Sequence, residues 1–175
     1  MKIFIGCSSH VDIDNKYIED AKYISNRLSN KYDLVVGGIQ EEGIPGTIYK
    51  EFINNNRKVY LYTLELYKED LSKYNVKYKY VSNTFERTKN LYKTSDKILI
   101  LPGGSGTFSE IFSMLEDNRT IESNKEIIIY NQDNYYSDIL KILMNSIKHN
   151  FNDISIMDRL KVFNDKDDLL KYMEV

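Results

Sequence analysis

KILILPGGSGTFSE, residues 97–110, carries the reading of the fold. KILIL (97–101) is a short run of apolar residues, the pattern of a strand covered on both faces. PGGSGT follows at once, so the strand ends in a tight, small-residue loop. A helical pattern starts near Thr107, with Phe108, Ile111, Phe112 and Leu115 at helical spacing. Strand, glycine loop and helix in that order are half of a parallel strand–helix–strand unit.

The same alternation extends in both directions. Strands are expected at KIFIG (2–6), DLVVGG (33–38), KVYLYT (58–63), EIIIY (126–130) and LKVF (160–163). Helices are expected at 15–31, 43–56, 83–94, 134–149 and 165–173, with Asn83 capping its helix and Glu86 three residues on. Residues 64–82 mix a short helix with a strand at YKYVS. The fold class is therefore α/β: a doubly wound, Rossmann-like parallel sheet flanked by helices, in a single domain over 1–175.

Composition removes several functions. At 42% hydrophobic and 29% charged residues the chain is globular in character, and a net charge of −2 with no basic stretch gives no surface for a nucleic-acid backbone. A single Cys and two His leave no intrachain disulfide and too few ligands for a structural zinc site, so no metal is expected. MKIFIGCSSH is too short in apolar residues for a signal peptide, and no apolar run suits a membrane span. The cytoplasm is the expected location.

Ligands of such sheets bind beyond the carboxyl ends of the strands. Three strands end there in small residues: GCSSH, VVGGIQEEGIPG and LPGGSGT. Ser8, Ser9, Gly37 and Gly38 thus join Gly103, Gly104, Ser105, Gly106 and Thr107 as candidate ligand contacts. Helix 83–94 leads down into strand 97–101, so its first turn, with Arg87, lies at that same edge. Arg87 and Glu110 can then face one cleft. A helix start there suits an anion. The loop is not a P-loop, because no Gly-Lys-Ser/Thr follows, and Phe108 breaks a GxGxxG reading. A purely structural reading stands beside this one. Thr107-Phe-Ser-Glu110 is also a T-x-x-E capping box, with Glu110 a solvated side chain off the apolar stripe.

PGGSGTFSE resembles the PGGxGTxxE signature of the LOG (LONELY GUY) family, nucleoside 5′-monophosphate phosphoribohydrolases formerly labelled lysine decarboxylases. ERTKNLYKTSDKILILPGG is similar to the family's preceding element, GCSS to its first strand end, and VVGGIQEEGIPGTIYKEF to its second glycine segment. The resemblance implies hydrolysis of the N-glycosidic bond of a purine or cytokinin-type nucleoside monophosphate to free base and ribose 5-phosphate. It implies Arg87 and Glu110 as the catalytic pair, Gly103 to Thr107 as the phosphate loop, no cofactor, and a homodimer with apolar contacts such as Met114. Thr88 stands where the family usually has Lys, GGI replaces GGG, GIPG replaces GLMG, and the TWxQ element is missing. These departures fall on the base pocket and the dimer contacts. They keep open a nucleotide-binding sensor without turnover, or a carrier of a phosphate-bearing cofactor. Pyridoxal chemistry needs a Schiff-base lysine with its partners, and no lysine is singled out here.

Overall fold

The computed structural model describes residues 1–68, 70–120 and 125–175; Glu69, inside the stretch 64–82, and residues 121–124 lie outside it. Its elements run β1 (Lys2–Gly6), α1 (Asn15–Leu28), β2 (Asp33–Val36), α2 (Gly43–Asn54), β3 (Val59–Leu64), β4 (Lys77–Val81), α3 (Thr84–Thr94), β5 (Lys97–Ile100), α4 (Ser105–Thr120), β6 (Ile127–Tyr130), α5 (Ser137–Lys148), β7 (Leu160–Phe163) and α6 (Lys166–Met173). Short 3₁₀ turns fill 65–67, 132–134 and 154–159. All strand pairings are parallel, in the order β4-β3-β2-β1-β5-β6-β7. This is the Rossmann-like sheet expected from the alternation.

Side chains alternate across each strand, and the helices divide accordingly. Ile3 and Ile5 of β1, Leu34 and Val36 of β2, and Leu99 of β5 pack with α1, α2 and α6 through Ile24, Leu28, Ile48, Phe52 and Leu169. Phe4, Val35, Ile98 and Ile100 face the other way, onto α3 and α4 through Leu91, Tyr92, Ile111, Met114 and Leu115. Burial on both faces explains the continuous apolar strands. Met114 is fully buried in this second layer, so it cannot be a dimer contact from the surface. Phe112, expected in the stripe of α4, is instead 41% exposed.

The unclear stretch resolves into the 3₁₀ turn and β4. β4 pairs with β3 at the edge of the sheet and exposes Lys77, Tyr78 and Lys79. Charged residues on an edge strand discourage pairing with another chain. No helix among the described residues is long and apolar enough to cross a membrane.

The chain changes direction in the sheet between β1 and β5. β1 continues outward to β2, while β5 continues to β6 on the other side. The crevice beyond the carboxyl ends of β1 and β5 is thus the topological switch point, where this fold class places ligands.

Candidate functional site at the switch point

The glycine loop after β5 is tied to the end of β1. The Leu101 N–H donates to Gly6 O at 2.8 Å and the Ser8 N–H to Pro102 O at 3.0 Å. The Thr107 hydroxyl donates to Cys7 O at 3.1 Å. Gly103 sits in the resulting corner. A Cβ there would stand 2.9 Å from the carbonyl carbon of Cys7 and closer still to Thr107, so only glycine fits.

Helix α4 begins at Ser105, a half-turn earlier than its apolar pattern suggests. The first helical bond runs from the Phe108 N–H to Gly104 O at 3.0 Å. Thr107 therefore lies inside the first turn with its hydroxyl committed to Cys7, which overturns the capping-box reading. The main-chain N–H groups of Ser105, Gly106 and Thr107 precede the first helical donor and have no helical acceptor. Gly104, Ser105 and Gly106 are exposed, while Gly103 and Thr107 are buried.

Glu110, one turn further in, is not a solvated side chain. The residue is 8% exposed, facing the switch point and not the solvent side of α4. Its Oε1 lies 3.8 Å from Arg87 Nη2, so the sequence-distant pair does meet. Helix α3 brings Arg87 there. Asn83 caps it by accepting from the Glu86 N–H at 2.9 Å, and the Glu86 carboxylate turns back to the Ser82 N–H at 3.0 Å. That cap fixes the first turn of α3 at the carboxyl edge.

The floor beneath the pair is made by two glycines. Gly6 and Gly37 each lie two residues beyond the paired Phe4 and Val35 and so share their face of the sheet. A Cβ on Gly6 would approach Glu110 Oε2 at 3.2 Å and Ile100 Cδ1 at 3.0 Å. A Cβ on Gly37 would stand 3.5 Å from Arg87 Cδ and Nε. Where the strands would otherwise present side chains, the carboxylate and guanidinium lie on bare backbone. Gly37 was expected at the site; Gly6 was not. The signal was available in the strand alternation, since Gly6 shares its face with Phe4.

The electrostatics are those of a poised acid. Burial pushes the Glu110 carboxyl up from 4.5 to about 7, with the Arg87 charge opposing part of that rise. Arg87 Nε is buried and has no hydrogen-bond partner in the protein. A buried guanidinium with an unpartnered Nε–H and only a long 3.8 Å ion pair through Nη2 is suited to a further anionic or hydroxyl partner. The other expected contacts divide. Ser8 uses its N–H on Pro102, and its hydroxyl accepts from the His10 N–H at 3.1 Å. Ser9 is exposed, and Gly38 is exposed, where an added Cβ would meet nothing.

Sequence reasoning also missed the turn after β6. Tyr135 and Tyr136 both donate hydroxyl hydrogen bonds to the glycine loop, to Gly103 O at 2.8 Å and Leu101 O at 2.7 Å. Nothing local in YY reports bonds made across more than thirty residues.

Cytokinin riboside 5′-monophosphate phosphoribohydrolase LOG3 of Arabidopsis thaliana is 26% identical over 157 residues, covering 86% of this chain and 71% of that one. A protein named probable cytokinin riboside 5′-monophosphate phosphoribohydrolase LOG4, from Oryza sativa subsp. japonica, is 27% identical over 128 residues, 72% of this chain and 55% of its own length. This chain thus spans little more than half of the rice relative. Among solved structures, the molybdenum cofactor carrier protein of Chlamydomonas reinhardtii superposes with a TM-score of 0.72 at 12% identity, covering 99% and 97% of the two chains. The molybdenum cofactor binding protein of Rippkaea orientalis gives 0.68 at 12% identity, covering 99% and 95%. Those two likenesses are of fold. A family model described as "Possible lysine decarboxylase" matches residues 38–173, most of the sheet and both helices that carry the buried pair, and the chain belongs to that family, the LOG family.

Proposed function

We propose that the protein hydrolyses the N-glycosidic bond of a nucleoside 5′-monophosphate, of the AMP or cytokinin riboside monophosphate type, to free base and ribose 5-phosphate. The observation that carries this reading is the buried Glu110 carboxyl, held 3.8 Å from Arg87 directly behind the glycine loop. Its family relatives bear the name phosphoribohydrolase.

The chemistry follows from the bond. Cleavage leaves positive charge on the ribose ring, and a buried carboxylate stabilises it more strongly than an exposed one would. Glu110, titrating at about 7, is partly ionised at neutral pH and basic enough to take a proton from water. Water adds its oxygen to the anomeric carbon as the base departs. Glu110 accepts the water proton and returns it to the departing nitrogen, so the carboxylate is regenerated and the net reaction consumes one water. Arg87 orients the carboxylate and offers its unpaired Nε–H to the ribose or phosphate oxygens. The N–H groups of Gly104 to Thr107 receive the phosphate. The family description names a decarboxylase, but a carboxylate, a guanidinium and a glycine loop are a set for glycosidic cleavage.

The test incubates the protein with a panel of nucleoside 5′-monophosphates and measures free base by chromatography, with Glu110→Gln beside it. Base release by the native chain and its loss in the variant are expected. Tight nucleotide binding without base release would replace hydrolysis with a sensor or carrier role. A homodimer belongs to the same proposal, and sedimentation should give twice the 20.6 kDa chain mass.

A further inference from the structure

The carbonyls of the loop after β5 are held one after another. Leu101 O accepts from the Tyr136 hydroxyl at 2.7 Å, Pro102 O from the Ser8 N–H at 3.0 Å, and Gly103 O from the Tyr135 hydroxyl at 2.8 Å. Two of the three donors come from one turn between β6 and α5. Asp133 and Asn134 both take left-handed backbone conformations, with φ of 52° and 63°, which Asp and Asn tolerate better than most residues. Asn131 fastens the turn from within: its Oδ1 accepts from the Tyr136 N–H at 2.7 Å, and its Nδ2 donates to Asn164 Oδ1 at 2.8 Å. The rings pack as well, with Tyr135 and Tyr136 centroids 5.0 Å apart and Phe108 of α4 6.4 Å from Tyr135.

A trans peptide is planar, so its N–H points opposite to its carbonyl. Fixing Gly103 O toward Tyr135 therefore directs the Gly104 N–H away from the β6 side of the loop. Gly104 is exposed and a Cβ on it would meet nothing, so side-chain packing does not set this peptide. With glycine on both sides of the bond, the Tyr135 hydroxyl supplies the restraint that sequence does not.

We propose that Tyr135 is a positioning residue for the anion-binding loop, its hydroxyl holding the Gly103–Gly104 peptide so that the Gly104 N–H joins those of Ser105 to Thr107 on a phosphate group. Tyr136, fully buried, anchors the turn; Tyr135, 44% exposed at the loop's edge, tunes it. The inference rests on the phosphate-binding part of the proposed function.

Tyr135→Phe keeps the ring and removes only the hydroxyl. Binding of ribose 5-phosphate, a nucleoside 5′-monophosphate and the matching nucleoside is measured by calorimetry on native and variant chains, with kcat and KM from base release. Dissociation constants for both phosphate ligands and KM should rise about fivefold to tenfold, the size of one lost hydrogen bond. Nucleoside affinity should be unchanged, and kcat should stay within about twofold, because the reacting groups are untouched. Unchanged ribose 5-phosphate affinity in the variant overturns the inference and leaves the proposed function standing. Equal losses for nucleoside and phosphate ligands also overturn it, since they mark general loosening. If the native chain binds neither phosphate ligand, the proposed function falls and this inference with it.

Discussion

The two faces of the sheet are built from the same strands and serve different ends. Against α1, α2 and α6 the face is almost wholly apolar: Ile24, Leu28, Ile48 and Phe52 close over Ile3, Ile5, Leu34 and Leu61 with no exposure above 2%. Against α3 and α4 the same packing runs through Phe4, Val35, Leu91 and Ile111, then stops at the carboxyl edge. There the strands present Gly6 and Gly37, and the space is filled by an acid and a guanidinium. Filling it with apolar side chains would remove a buried charge and its desolvation cost. A costly buried acid kept at this edge is what singles it out as the candidate site.

The contrast can be broken from either side. The largest effect is expected on the closed face. Phe52→Ala leaves a cavity in a fully buried site and should cost about 3–5 kcal/mol in denaturant unfolding, with the catalytic constants of the folded fraction unchanged. Glu110→Gln should reverse the pattern, losing at least about a hundredfold in base release. Its stability should not fall. Glu110 holds its proton in the folded chain between 4.5 and about 7, where the unfolded chain has released it. The group therefore makes stability decline as pH rises through that window, and the Gln variant should lack this decline in unfolding curves taken at successive pH values. A variant less stable than the native chain at pH 8 would mean that Glu110 is a structural residue.

Arg87→Met should sharpen the comparison further. Arg87 lowers the pKa that burial raises, so its removal should move the rising limb of the pH–rate profile from about 7 to higher pH. An unmoved limb would separate Arg87 from the titrating acid. The smallest effect is expected for Gly6→Ala. Its methyl would press on the Glu110 carboxylate and the Ile100 side chain at 3.2 and 3.0 Å. A loss of about tenfold in kcat is expected, as a displaced catalytic group gives, with a melting temperature close to the native one. A large fall in melting temperature would make Gly6 a packing residue.

Much of this was legible beforehand, because the signals were local. KILIL and EIIIY announce covered strands through unbroken apolar runs, and chain direction alone places Arg87 and Glu110 at one edge. β4 was obscure because an edge strand of alternating Lys and Tyr has no apolar run to show. The capping-box alternative for Thr107 arose because T-x-x-E satisfies a local rule, while the hydroxyl is drawn instead to Cys7, just past the end of β1. Met114 was misplaced for a related reason: a residue type does not say which side of a helix meets the sheet.

By itself, then, the sequence determined the parallel sheet, the glycine loop at its carboxyl edge and the two charged residues aimed toward it. Periodicity, glycine and chain direction act over short distances, and a single chain displays them openly. Only the tertiary structure decided that Glu110 is buried and titrates near neutrality, that Gly6 and Gly37 make its floor, and that two tyrosines after β6 hold the loop. Each of those depends on which strand lies beside which, and desolvation and hydrogen bonding act across that contact, not along the chain.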